Sequence, residues 1–534
     1  MIGWSCLLVA HEGQVCGQSR SFGISRGRSV FGGSVLSEGR GVALRGSRVV
    51  VGLALCVALV GGVPGTARAA GGAVEWTPCP EDPAVQCGRV AVPVDWSRPA
   101  GERISVALAR RPALDPARRV GSLLINPGGP GGSGVDFTMF ADQVFGPEIV
   151  RRFDIVGFDP RGVGRSHPVL CPDSETPSVF PSSAEELERL VAGNARRAQA
   201  CRRLTGPLFD HVDTSSVVKD LDAIRAALGE RRISYYGVSY GTLIGQQYAE
   251  QFPGRVRALV LDSNMDHSLT TARRYLLTES SALEESFGQF AAWCRTSDKC
   301  ALREQGAVKV VDELMAKADK GELDDPENPG TKIPPEELSR RLLGSMYDPG
   351  FWPGLGTELA GLQEGARTRQ AFREDVVEDP YQAILCADFE FPVRDFRQVR
   401  ALAAAARRVA PHTRVNPLGW TDILGCKGYL PGARNPQRSY RIKGTPPILV
   451  TNGRYDVATP YPWGVNAARQ IPDAVLLTYD GVGHGDYFLS ACVAEAVDRY
   501  LLTVRTPPRG THCPQGPLPV RLSQRPGFTL AGPR

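Results

Sequence analysis

"YYGVSYGTLIGQQYAEQFP", Tyr235–Pro253, sets a serine between two glycines at the point where a strand pattern gives way to a helix pattern. The centre reads Gly237-Val238-Ser239-Tyr240-Gly241. Before it, Ile233–Gly237 has strand character; after it, "TLIGQQYAEQFP" reads as a helix closed by proline. Gly237 and Gly241 leave room for a tight strand-to-helix turn that side-chain carbons would obstruct. Such a turn lifts the serine hydroxyl to the carboxyl edge of a sheet, beside helix N–H groups that favour negative charge. The pentapeptide alone arises by chance, so its meaning depends on the rest of the chain.

Upstream, "GRVAVPVDW" (88–96) and "RISVALARR" (103–111) read as antiparallel strands, and "GSLLIN" (121–126) and "FDIVGF" (153–158) as buried strands running into loops. "SSVVKDLDAIRAALG" (215–229) carries Val218, Leu221, Ile224 and Leu228 on one helical face and stops at Gly229. "VRALVLDS" (256–263) is the next strand. Strands alternating with helices predict a mostly parallel sheet flanked by helices. The alternation stops at Ser263 and resumes with the strands "PPILVTNG" (446–453) and "AVLLTYDG" (474–481) and the helix "CVAEAVDRYLLTV" (492–504). The intervening stretch is far too long for a loop. It predicts a helical cap over residues 264–444, between core segments 70–263 and 445–515, with an irregular tail over 516–534.

Residues 1–69 read as a leader. Arg45 and Arg48 precede an apolar run from Val49 to Val60, and Ala67-Arg68-Ala69 supplies an A-x-A cleavage pattern. The run is short for a bilayer span. The prediction is secretion, with no membrane contact once the leader is removed. The leader also holds seven arginines against two glutamates, which accounts for the whole net charge of +5. The remaining chain is neutral, which argues against nucleic acid as a partner. Of 13 cysteines, ten follow the leader, an even number suited to disulfides in an exported protein. They fall into near-neighbour pairs 79–87, 171–201, 294–300, 386–426 and 492–513. No C-x-x-C or H-E-x-x-H occurs, so neither a metal nor a cofactor is expected.

A serine nucleophile needs a base, and the base an orienting carboxylate. Asp456 follows one late strand in "NGRYDVATP" (452–460), and His484 follows the next in "GVGHGD" (481–486). The order Ser239…Asp456…His484, each at a strand end, is that of the α/β-hydrolase fold. Asp262 is the rival acid, but it precedes the cap; Asp480 lies too close to His484 to reach round it. "NPGGPGGSG" (126–134) is rich in exposed N–H groups. With the N–H of Tyr240, either Gly129 or its neighbour Gly128 would complete an oxyanion hole, and the sequence does not separate the two.

At these residues the chain resembles the secreted tripeptidyl aminopeptidases of actinobacteria, relatives of the proline iminopeptidases. "NPGGPGGSG" is similar to their HGGPGG-type loop, with Pro127 where the iminopeptidases have His. "DPRGVGRS" (159–166), "GVSYGT" (237–242), "NGRYDVATP" and "AILCAD" (383–388) resemble further family signatures. The likeness spans about residues 75–515. It implies an α/β-hydrolase fold, a triad of Ser239, Asp456 and His484, and release of short peptides from free N-termini. Such an enzyme must hold the substrate's α-ammonium, and a partly buried cation needs opposite charge. Asp388 and Glu390 in the cap are the expected carboxylates. An esterase or lipase is the competing enzyme reading, since the same machinery serves esters. A non-catalytic binding protein is a third, which the intact triad disfavours.

Overall fold

The computed structural model describes residues 73–516, apart from 174–177, 327, 329 and 365–375. The expected leader and all but the first residue of the expected tail lie outside the described residues.

A ten-stranded sheet runs through the molecule. In spatial order its strands are Thr77–Pro78, Gln86–Pro93, Arg103–Arg111, Phe153–Phe158, Gly121–Asn126, Ile233–Val238, Val256–Asp262, Leu449–Tyr455, Val475–Val482 and His512–Pro514. The first three pair antiparallel, and Arg103–Arg111 is antiparallel to Phe153–Phe158. From Phe153–Phe158 onward all neighbours are parallel. Gly121–Asn126, Phe153–Phe158 and Ile233–Val238 are buried along their whole length. Continuous apolar runs in strands covered on both faces follow from that burial. Each fully buried Val, Leu, Ile or Phe contributes about 1.5–3 kcal/mol.

Chain order and spatial order reverse around Gly121–Asn126, which lies between Phe153–Phe158 and Ile233–Val238. Open parallel sheets offer their sites at such reversals, outside the carboxyl ends of the strands. Register places Asn126 beside Gly237. The Gly-rich loop and the serine turn therefore leave the sheet side by side.

Between Asp262 and Leu449 the chain is mainly helical: Ala272–Thr296, Ala307–Asp319, Pro335–Met346, Trp352–Glu364, Pro380–Asp388, Phe396–Val409 and Pro417–Gly425. A second hydrophobic core fills this region, around Phe287, Phe290, Leu314, Leu342, Met346 and Trp352.

Two features differ from the sequence reading. The 22-residue helix Ala184–Thr205 precedes the long insertion yet packs on it, with Asn194 Nδ2 donating to the carbonyls of Leu424 and Lys427 at 2.9 Å. Likewise Leu170–Pro172 pairs antiparallel with Val376–Glu378. The alternation rule passed over this segment because its helix serves the cap and not the sheet. Near the end of the chain, His512–Pro514 adds a strand that the sequence reading did not name, parallel to Val475–Val482.

All five expected disulfides are present: Cys79–Cys87, Cys171–Cys201, Cys294–Cys300, Cys386–Cys426 and Cys492–Cys513. Among the described residues no helix is long and apolar enough to cross a membrane.

Candidate active site

Ser239 sits directly after the strand Ile233–Val238 with φ of +57°, in the left-handed region that a non-glycine residue rarely adopts. Its N–H donates to the Asp262 carbonyl of the neighbouring strand end at 2.9 Å. Its carbonyl accepts from Thr242 Oγ1 at 2.6 Å in the first turn of the helix Gly241–Gln251. Both flanking glycines are required sterically. A side-chain carbon at Gly237 would meet the Gly241 carbonyl at 2.5 Å, and one at Gly241 would meet Asn126 at 2.8 Å.

His484 and Asp456 come together from the two adjacent strand ends. His484 Nδ1 lies 3.0 Å from both Asp456 oxygens. Asp456 is fully buried and also accepts from the N–H groups of Ala458 and Thr459, at 2.9 and 2.8 Å, and from Thr459 Oγ1 at 2.9 Å. The His484 N–H donates to the Tyr347 carbonyl at 2.9 Å, so the cap braces the histidine loop. Asp262, the rival acid, has other partners. It accepts from Tyr236 Oη at 2.7 Å, from Thr451 Oγ1 at 3.0 Å, and from the N–H groups of Asp486 and Tyr487 at 2.9 and 3.1 Å. It fastens the histidine loop from behind.

Ser239 and His484 line one cavity together with Pro127, Gly129 and Tyr240. Gly128 spends its N–H on Asn126 Oδ1 at 3.0 Å. The N–H groups of Gly129 and Tyr240 have no partner among the described residues. Of the two glycines left open by the sequence, Gly129 keeps an N–H without a partner among the described residues and Gly128 does not.

"DPRGVGRS" supports this end of the cavity without entering it. Asp159 accepts from Ser133 Oγ at 2.5 Å and from the N–H groups of Val135 and Arg165, at 3.1 and 2.8 Å, which fixes the helix that follows the Gly-rich loop. Arg161 is wholly buried and forks onto both oxygens of Asp220 at 2.6 Å.

The cap side of the cavity differs from expectation. Neither Asp388 nor Glu390 lines it. Asp388 is buried and accepts from Thr214, Asn435 and Tyr240 Oη; burial, helped by the nearby Asp213 charge, pushes its carboxyl up to about 7. Glu390 is exposed and borders a separate hollow with Phe391, Lys427 and Ala433. The single residue between them, Phe389, decides the matter. Asp388 ends its helix pointing back to Thr214, and the extended chain beyond turns Glu390 outward.

The cavity carboxylates are Glu279, from the helix Ala272–Thr296, and Asp422, from Pro417–Gly425. Asp422 accepts from Tyr275 Oη at 2.7 Å and Tyr381 Oη at 2.8 Å. Glu279 is fully buried, and neither of its carboxylate oxygens has a hydrogen-bond partner among the described residues. Burial, then the Asp422 charge, raises the Glu279 carboxyl well above the usual range. Burial likewise lifts Asp422 to about 7. Both residues were missed from the sequence. A signal existed for Glu279: it interrupts the apolar stripe Tyr275, Leu276, Leu283, Phe287 of a long helix.

Known proteins resemble this chain over most of its length. Residues 121–331 match the α/β-hydrolase fold model, and residues 416–513 match that of the TAP-like proteins. The chain is 34% identical over 498 residues to the serine protease Hip1 of Mycobacterium tuberculosis, covering 86% of this chain and 94% of that one. It is 30% identical over 482 residues to the tripeptidyl aminopeptidase of Streptomyces lividans, covering 84% and 88%. It is 31% identical over 468 residues to a carboxylesterase B of M. tuberculosis, covering 80% and 86%. Among solved structures, esterase E22 aligns over 78% of this chain and 100% of its own, with 15% identity and a TM-score of 0.36. The chain belongs to the tripeptidyl aminopeptidase-like serine peptidases of the α/β-hydrolase fold.

Proposed function

We propose that this protein is an exported serine exopeptidase that removes di- or tripeptides from free N-termini. Ser239 Oγ attacks the scissile carbonyl while His484 takes its proton, and Asp456 holds the imidazole tautomer and stabilises the imidazolium. The N–H groups of Gly129 and Tyr240 receive the developing oxyanion. His484 returns the proton to the leaving amine, and water then releases the acyl-enzyme by the same route.

One observation carries the exopeptidase reading: Glu279, buried and unpartnered, shares the cavity with Ser239 and His484. A buried polar group without a partner costs about 1–3 kcal/mol. An α-ammonium supplies the donors and the positive charge that Glu279 and Asp422 together lack. An N-blocked substrate supplies neither. The carboxylates of the substrate amine are therefore Glu279 and Asp422 in this reading, in place of Asp388 and Glu390. Export is supported by the five disulfides and by the A-x-A segment at Ala67–Ala69.

The carboxylesterase relative favours a second reading, in which esters are the substrates. Chromogenic tripeptidyl amides, free and N-acetylated, assayed beside simple acyl esters, separate the two. The exopeptidase reading expects the free amides to be cleaved and the N-acetylated ones to be nearly inert. Efficient turnover of acyl esters with neither amide cleaved would establish the esterase.

A further inference from the structure

The signature "AILCAD" closes the helix Pro380–Asp388, and its acid is absent from the cavity. What it does instead follows from its partners. Asp388 Oδ2 accepts from Thr214 Oγ1 at 2.6 Å and from Tyr240 Oη; the Thr214 N–H donates to both carboxylate oxygens at 3.1 Å; Asn435 Nδ2 donates to Oδ1 at 2.5 Å. Thr214 Oγ1 and Tyr240 Oη also approach each other at 3.2 Å. Every hydrogen bond this carboxylate makes is one it accepts, so a pair of oxygens fits there and an amide nitrogen does not.

Tyr240 is the residue after Ser239, and its N–H is one of the two free donors facing the cavity. Its carbonyl accepts from the Leu243 N–H at 3.0 Å as the helix opens, and its side chain, 3% exposed, is held at the far end by Asp388. The helix carrying Asp388 is itself fixed on the cap. Its main chain at Ala387 accepts from the N–H groups of Arg434 and Asn435, at 2.8 and 2.9 Å, and the Asp388 carbonyl accepts from His267 Nε2 at 2.8 Å. The opposite end of the same helix abuts the other donor loop. A side-chain carbon at Gly131 would lie 2.7 Å from Pro380 Cγ, and Tyr381 Oη bonds Asp422.

We infer that Asp388 is a positioning residue for the oxyanion hole: through the Tyr240 phenol it ties the backbone donor beside Ser239 to the cap helix that also borders the Gly-rich loop and the Asp422 subsite. The inference rests on the oxyanion role given above to the Tyr240 N–H. A donor aimed at developing charge acts in the transition state and not in substrate binding. Its loss of aim lowers kcat for every substrate that passes through a tetrahedral intermediate, whatever stands at the N-terminus.

The test compares Tyr240→Phe, Asp388→Asn and the double variant on free tripeptidyl amides, on their N-acetylated forms and on an acyl ester. Each single variant is expected to lower kcat about 10- to 100-fold on whichever of these the parent enzyme turns over, with KM within about twofold. A peptidyl boronate, which occupies the oxyanion hole, should lose affinity by a similar factor, while a product tripeptide should not. The double variant should be no worse than the poorer single one, since both break one linkage. Tyr240→Phe removes a single oxygen and keeps the fold readable should Asp388→Asn not be secreted. A rise in KM confined to free amines would overturn the inference and return Asp388 to the ammonium. Unchanged kcat and boronate affinity in Tyr240→Phe would also overturn it. Failure of a fluorophosphonate to label Ser239 in the parent enzyme would instead remove the underlying reading of the site, independently of Asp388.

Discussion

At the sheet end of the cavity, Asp456 accepts from two backbone N–H groups, a threonine hydroxyl and His484; at the cap end, Glu279 accepts from no group among the described residues. Both carboxylates are fully buried. The first is a finished arrangement, with its charge already satisfied by fixed donors. The second is unfinished, and in the proposed reading the substrate's ammonium completes it. The contrast shows how labour is divided between the two regions. In the proposed reading, strand ends hold the reacting groups in one geometry, and cap helices carry a polar deficit that a suitable substrate relieves. A buried acid with all its donors orients a neighbour; a buried acid without them selects a ligand.

The largest effect expected is at the finished end. Ser239→Ala should lower turnover by about a millionfold and abolish fluorophosphonate labelling, with circular dichroism unchanged. Asp456→Asn comes next, at about 10⁴-fold in kcat with little change in KM, because the imidazole then takes the wrong tautomer. Asp262→Asn is the control that could break this half of the comparison. It loosens the histidine loop, and a greater loss of kcat than in Asp456→Asn would make Asp262 the acid.

The unfinished end should give smaller, selective effects. Glu279→Gln should raise KM for free tripeptidyl amides about 10- to 100-fold and leave N-acetylated ones alone, read as the ratio of kcat/KM between the two. Equal losses on both would show that Glu279 only supports the fold. The smallest effect is in pH. Asp422, lifted to about 7 by burial, is neutral below that value and charged above it. A free α-amino group loses its own proton near pH 8. Preference for free over N-acetylated substrate should therefore weaken several-fold as pH falls from about 7.5 to 6. It should weaken again above pH 8. A flat ratio would detach Asp422 from the ammonium.

How far the sequence disclosed these two ends also differs, for a physical reason. The serine turn is governed by neighbours in the chain: Gly237 and Gly241 are needed because each nearly touches backbone a few residues away or on the adjacent strand. Asp456 and His484 follow strands that any period count would find. The cap is different. Glu279 stands in "TESSALEES" with Glu284 and Glu285 close by, and all three look alike as letters. Glu279 faces the cavity, while Glu284 accepts from the N–H and hydroxyl of Thr413. The choice among them is made by how the helices pack. Asp388 shows the opposite error: its place in a family signature was legible, but its direction was not. The nearby aromatic and acidic residues of "CADFEF" fit a substrate pocket equally well as letters, and only Thr214 and Asn435, distant in sequence, decide where the carboxylate turns.

The sheet order has a consequence for how the enzyme comes into being. Leu449–Tyr455 takes its place beside Val256–Asp262, and Val475–Val482 beside Leu449–Tyr455, only after the whole cap has been made. As the chain is synthesised, the serine turn exists some 200 residues before its acid and longer still before its base. Until those last strands dock, the nascent polypeptide carries the proposed nucleophile without its proposed base and acid. Sheet pairing across so long an interval is slow to form. On the proposed reading, hydrolysis waits on the docking of those last strands.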